Sequence, residues 1–164
     1  MNYSNKKNLA IIGTIVFLAV ATINIRAADD IPTSGITAGV LHGNYLYAEA
    51  GYSYGAKIHW PKTSLIKGYG VFTLGAETGR PDGRFVIAPK ITFTMNLFVS
   101  FGASVIYYTD FNIGALRFRP EIGVGMFGVR LVYGRNLTMA NYEFPGLNTN
   151  NFMFAVYLPV FDAK

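Results

Sequence analysis

The sequence reads as an all-β chain, an eight-stranded antiparallel up-and-down β-barrel behind an export helix, and three observations predict it. Eight stretches alternate with period two, and within each the charged side chains keep to one parity while large apolar ones take the other. Turn-forming clusters separate the stretches. An apolar N-terminal run precedes them all.

That run is the first element. Lys6 and Lys7 stand before a nearly unbroken apolar stretch from Leu9 to Ile23, with small residues behind it, which is the form of a secretory signal. It is short for a membrane helix. Cleavage is expected near Ala21 or Ala27, so that residues 1–27 are a signal peptide and 28–164 a single β-barrel domain.

The strands follow in order. The first covers 36–42 and ends at Gly43-Asn44, a dipeptide suited to a tight turn. The second runs from Tyr45 to Trp60, with Leu46, Ala48, Tyr52 and Tyr54 on one parity and Glu49, Ser53 and Lys57 on the other; Pro61 ends it. The third spans about 65–77, and Arg80-Pro81-Asp82-Gly83 makes the next turn. In strand four, 84–94, Arg84, Lys90, Thr92 and Thr94 alternate with Phe85, Ile87, Ile91 and Phe93. Strand five, 97–108, follows a break at Met95-Asn96, and strand six, 113–122, carries Arg117, Arg119 and Glu121 on one parity. Pro120 is expected to mark a bulge in it. Gly123-Val124 is read as the turn into strand seven, 125–135; the Asn-rich segment 136–150 is the long loop, and 151–161 closes the set. If the chain enters from the periplasmic side, the shorter turns 61–64, 95–96 and 123–124 fall on that side. The loops 43–44, 78–83, 109–112 and 136–150 then fall on the outer side.

Alternation alone does not say which face is inside. The charged parity also carries Gly51, Ser53, Gly55, Gly75, Ala88, Gly128 and Gly134, whereas the other parity holds most of the bulky aromatics and branched chains. A closed eight-stranded barrel has room inside for side chains and little else, so small residues interspersed with charges suit a crowded polar lumen. Glycine on a water-facing strand would weaken it with no gain in packing. The apolar parity is therefore predicted to face lipid, with Trp60, Tyr107, Tyr133 and Phe152 near strand ends as interfacial aromatics.

Composition agrees with that assignment. Charged residues are only 14% of the chain and aromatics 15%, so water is not expected to cover much of the surface. The formal charge of +5 falls to +2 once Lys6, Lys7 and Arg26 of the leader are set aside, too little to argue for nucleic acid. Absence of cysteine removes disulfides, thiolate metal sites and a lipidated N-terminal Cys.

The candidate site is a polar lumen network of Glu49, Lys57, Glu77, Arg84, Lys90, Arg117, Arg119, Glu121 and Arg130. Ions in a narrow lumen must pair or stay hydrated, so acids and bases are expected to interlock. With Lys67 included, seven bases face three acids, and the surplus is assigned to the rims, to water or to phosphate headgroups. No catalytic, cofactor-binding or metal-binding set emerges. His42 and His59 stand apart without Cys or a carboxylate cluster, and Gly123-Val124-Gly125 leads into strand pattern where a phosphate loop would need a helix.

From the leader to Phe161, the chain resembles the small eight-stranded outer-membrane proteins, the group of outer-membrane protein X and the membrane domain of outer-membrane protein A. The likeness rests on pattern, as in Tyr45 to Trp60 and Arg84 to Thr94, and on segments such as Leu116-Arg117-Phe118-Arg119-Pro120-Glu121-Ile122-Gly123. Two departures stand out: Phe161 is followed by Asp162-Ala163-Lys164, where that group usually ends on an aromatic, and no peptidoglycan-binding domain follows the last strand.

The resemblance implies a monomeric, non-enzymatic envelope protein of a Gram-negative outer membrane, in contact with outer-membrane lipid and lipopolysaccharide. Loops 78–83 and 136–150 would meet a surface partner. A narrow channel or carrier for a small solute, a soluble lipocalin-like ligand-binding barrel and a lipid-modifying enzyme are the competing readings.

Overall fold

The computed structural model describes residues 33–58, 68–126, 128–140 and 144–162 of the chain; the leader, His59, Trp60 and Lys67 lie outside them. The strands are β1 (Thr33–His42), β2 (Leu46–Ile58), β3 (Gly68–Gly79), β4 (Val86–Asn96), β5 (Phe98–Thr109), β6 (Gly114–Met126), β7 (Val129–Arg135), β8 (Leu137–Thr138) and β9 (Asn150–Asp162). Each long strand pairs antiparallel with its neighbours. The ring closes through β1 against β9 and β5 against β6, giving an eight-stranded barrel in which β8 continues the pairing of β7 along β6.

Closure is staggered. Crossing from partner to partner, Thr33 leads through Gly55, Val71, Thr94, Gly102, Glu121 and Gly134 to Asn151, which adjoins the His42–Phe152 pair at the far end of β1. A shift of about ten residues per circuit tilts the strands by about 40° and leaves a lumen only side chains can fill.

The two parities separate as the sequence predicts. Glu49, Glu77, Lys90, Arg119, Glu121 and Arg130 are buried together with a series of Ser, Thr and Asn, whereas Ile36, Tyr52, Leu74, Ile91, Phe101, Ile122, Leu131 and Phe154 are exposed. An apolar cluster does exist inside, near one mouth, where Leu41, Tyr47, Val86, Ala88, Ile106, Tyr108, Ala115 and Phe144 pack together. That mouth carries the connections 43–45, 80–85 and 110–113 and the described segments 139–140 and 144–149. The opposite end carries Leu97 and Gly128, together with the outer ends of β1 and β9.

Two turns differ from expectation. Gly123-Val124 is not a turn, because β6 runs on to Met126 with unbroken pairing to β7. Gly123 is small for a packing reason: a Cβ there would sit 2.1 Å from the Leu131 carbonyl oxygen. The reversal instead comes at Gly128, whose φ of 82° suits glycine. Met95-Asn96 also belongs to a strand, with the reversal centred on Leu97 and the positive φ of Phe98.

Pro120, expected to bulge, leaves the β5–β6 register continuous. It removes a donor beside β7, and the pairing of β6 resumes at β8 with the same alignment. The register shift falls between Ser34 and Gly35, opposite Pro159 and Phe161.

Gly123→Val should cost about 2 kcal/mol through overpacking against β7, while Val124→Ala on the outward face should cost under about 1 kcal/mol. Urea unfolding of the refolded variants in detergent compares them.

Candidate functional site: the ionic lumen

Alternation on five strands brings the buried charges together in the lumen. Glu49 comes from β2, Glu77 from β3, Lys90 from β4, Arg119 and Glu121 from β6 and Arg130 from β7. Three carboxylates meet three cations, so the cluster is neutral.

Glu77 is its centre. Its Oε1 accepts from Lys90 Nζ at 3.0 Å and from Arg119 Nη1 at 2.6 Å, and its Oε2 accepts from Arg119 Nη2 at 3.0 Å and from Tyr108 Oη at 2.8 Å. The Arg119 contact is a two-pronged guanidinium–carboxylate pair, the geometry in which such bonds are strongest. Arg119 Nη2 also donates to Tyr108 Oη.

On one side of this centre Lys90 lies 2.7 Å from Glu49 as an ion pair without the angle of a hydrogen bond, and Arg130 stands 3.9 Å from the same carboxylate. Arg130 Nη1 donates to Glu121 Oε2 at 3.1 Å and to Thr94 Oγ1 at 2.9 Å, while Ser104 Oγ donates to Glu121 Oε1 at 3.0 Å. Hydroxyls extend the network away from the loop mouth: Thr92 bonds Ser104 at 2.8 Å, and Ser53 bonds Thr73 at 2.7 Å. Below them, a cavity of about 20 Å³ between Thr37, Thr73, Thr94, Arg130 and Tyr157 has room for about one water.

On the other side the network reaches the loops. Arg119 Nε donates to Asn136 Oδ1 at 2.9 Å, and Asn136 Nδ2 donates to the Asn148 carbonyl at 2.7 Å. Asn148 in turn receives the Tyr45 backbone N–H and donates to the Tyr45 carbonyl, both at 2.8 Å, which copies one rung of a sheet with a side-chain amide. Tyr47 Oη donates to the Gly146 carbonyl at 2.8 Å, and Phe144 is buried in the mouth. The segment 144–149 is thereby held as a cap on the lumen.

The remaining sequence candidates lie elsewhere. Arg84 is corrected: it precedes β4, its side chain is 49% exposed, and it stands 4.0 Å from Asp110 on the neighbouring loop. It has the lumen parity but sits above the strand, where no barrel wall encloses it. Arg117 is buried at the loop mouth, apart from the ionic cluster, beside a cavity of about 270 Å³ shared with Asn136, Thr138, Phe144 and Leu147. Lys57 pairs with Tyr69 in the β2–β3 ladder, and its side chain lies outside the described residues.

Sequence reasoning missed Tyr108, Asn136 and Asn148. Tyr108 shares the lumen parity of strand five and was legible there. Nothing local marks Asn136 and Asn148 among the asparagines of their loop.

With the geometry in place, the chain can be set beside known proteins. It matches no protein-family model, no curated protein and no solved structure. Among the described residues no group of His, Cys, Asp or Glu could hold a metal ion.

Glu77→Ala should cost about 3–5 kcal/mol, because it leaves Arg119 and Lys90 buried without their shared partner. The double variant Glu77→Ala/Arg119→Met should recover part of that loss in the same unfolding assay. At the rim, the N–H groups of Ile113 and Asn112 hold the Asp110 carboxyl below its usual range. A depressed acid keeps its contribution above the unfolded value and loses it as pH falls through the folded one. The amide resonances of Asn112 and Ile113 should therefore titrate with a midpoint below that of an ordinary aspartate, and Asp110→Ala should abolish that titration.

Proposed function

We propose that this chain is an outer-membrane β-barrel of a Gram-negative envelope, non-enzymatic, which anchors its loops at the surface and conducts no solute. One observation carries the reading: greasy side chains cover the outside while ions fill the inside. Among the described residues twenty-four large hydrophobic side chains are exposed, including Leu74 at 61% and Phe152 at 62%. Among the described outward-facing strand positions none is acidic, and the basic ones are His42 and Arg135. A water-soluble protein rarely exposes apolar patches beyond a few hundred Å².

Lengths support the same reading. Every long strand except β7 has ten to thirteen residues, and β7 is prolonged by β8. A strand tilted at about 45° crosses a hydrocarbon core in roughly 9–11 residues. Backbone groups in that layer must all be paired, which a closed barrel achieves.

The competing readings lose ground on the lumen. A lipocalin-like barrel needs an apolar cavity, and here the corresponding space holds three Glu, one Lys and two Arg. A channel needs an open path, and the described lumen is closed by the ionic cluster and by the 144–149 cap. The surface offered outward is then Asp82, Gly83, Arg84 and Pro145, with Phe144 and Asn148 turned inward.

Fractionation of the host tests the proposal. The protein should appear in the outer-membrane fraction, migrate faster on gels unboiled than boiled, and give no single-channel steps in planar bilayers. Recovery in the aqueous phase without detergent would overturn it.

A further inference from the structure

Within the membrane reading just proposed, the outer face of β1, β9 and β7 has a feature that burial in lipid alone does not require. His42 on β1 is paired across to Phe152 on β9, which is paired across to Tyr133 on β7. One step nearer the loops, Asn150 is paired with Arg135. All five side chains point outward and are exposed. Neighbouring strands lie about 4.8 Å apart, so the group spans about 10 Å across three strands.

Its chemistry is one-sided. Arg135 has no carboxylate partner among the described residues, in contrast to Arg84, which faces Asp110. Tyr133 Oη donates to Asn150 Oδ1 at 2.7 Å, which fixes the amide and leaves its Nδ2 donors unused by any described residue. Arg135, His42 and Asn150 therefore present N–H donors with no acid among them. Just below lie Phe152, packed at 5.5 Å on Tyr133, and then Phe154, Leu131 and Val40, all exposed and apolar. A cation and an amide set directly above an apolar wall match an anion that carries hydrocarbon chains beneath it.

We propose that His42, Arg135 and Asn150 form a seat for the phosphate of a lipid headgroup in the leaflet on the loop side, the acyl chains lying along Phe152, Phe154 and Leu131. Arginine forks onto two phosphate oxygens, and the amide N–H supplies a further donor. The site is specific to one side of the barrel. At the same mouth, the connections 80–85 and 110–113 beside β4 and β5 present Phe85 stacked on Phe111, and the nearby cation Arg84 stands beside Asp110.

Native mass spectrometry of the full protein released from mixed nanodiscs tests this, with phosphatidic acid and phosphatidylcholine of identical chains as probes. Phosphatidic acid should be retained about tenfold over phosphatidylcholine, the effect of one charged hydrogen bond. Arg135→Gln should remove the preference, Asn150→Ala should reduce it, and Arg84→Gln should leave it unchanged. Equal retention of the two lipids, or a preference that survives Arg135→Gln, would overturn the seat. Displacement of the lipid by inorganic phosphate would show a site for the free ion and overturn the headgroup assignment. Insertion into phosphatidylcholine nanodiscs and heat-modifiable migration are recorded on the same sample. A protein that inserts without lipid preference refutes this inference alone, and one that does not insert refutes the membrane reading with it.

Discussion

One carboxylate holds four strands of this barrel to a common axis. Glu77 on β3 receives Lys90 of β4, Tyr108 of β5 and Arg119 of β6, and Lys90 passes the linkage to Glu49 on β2. These groups are enclosed by a wall whose radius the strand number and stagger determine. A buried ion without its counter-ion is costly by several kcal/mol, so the cluster has to be complete to be tolerated at all. Completeness then dictates much else: three acids and three bases, hydroxyls of Tyr108 and Ser104 on Glu77 and Glu121, and small residues where the long side chains need space.

A cluster of this kind adds little net stability by comparison with a well-packed apolar lumen. What it provides is selectivity among arrangements. A slip of one residue in any strand would turn its charges outward and its aromatics inward, and each such slip leaves a partner stranded. The network therefore defines the register, while the inter-strand hydrogen bonds and the apolar exterior supply the driving force in the environment proposed for it.

The link between Arg119, Asn136, Asn148 and Tyr45 extends this order beyond the wall. Loop segment 144–149 is tied through three polar side chains to the centre of the lumen. A loop anchored so keeps its exposed neighbours in place, which suits a scaffold that displays a surface. The same link covers the ionic cluster on its loop side, so display and closure are two results of one set of bonds.

Much of this was legible before any coordinates. Period-two alternation in Tyr45 to Ile58 or Arg84 to Thr94 marks both the strand and its two faces, because side chains on a pleated ribbon must alternate. Strand number and inside–outside parity follow, since glycine and serine share their parity with the ions. Turns were legible where chemistry forces them, as at Arg80-Pro81-Asp82-Gly83. They were misplaced at Gly123, where glycine answers to a neighbouring backbone and local sequence carries no trace of that neighbour. Arg84 was misread for a related reason, since parity continues past the point where the wall ends. By itself, then, the sequence determined the strands, their facing and the set of charges that had to meet. Tertiary structure alone decided which acid takes which base and where each turn falls. It also decided that Asn148, 103 residues from Tyr45 along the chain, closes the mouth above them. Those choices depend on stagger around the ring, and stagger is a property of the closed barrel that no single strand contains.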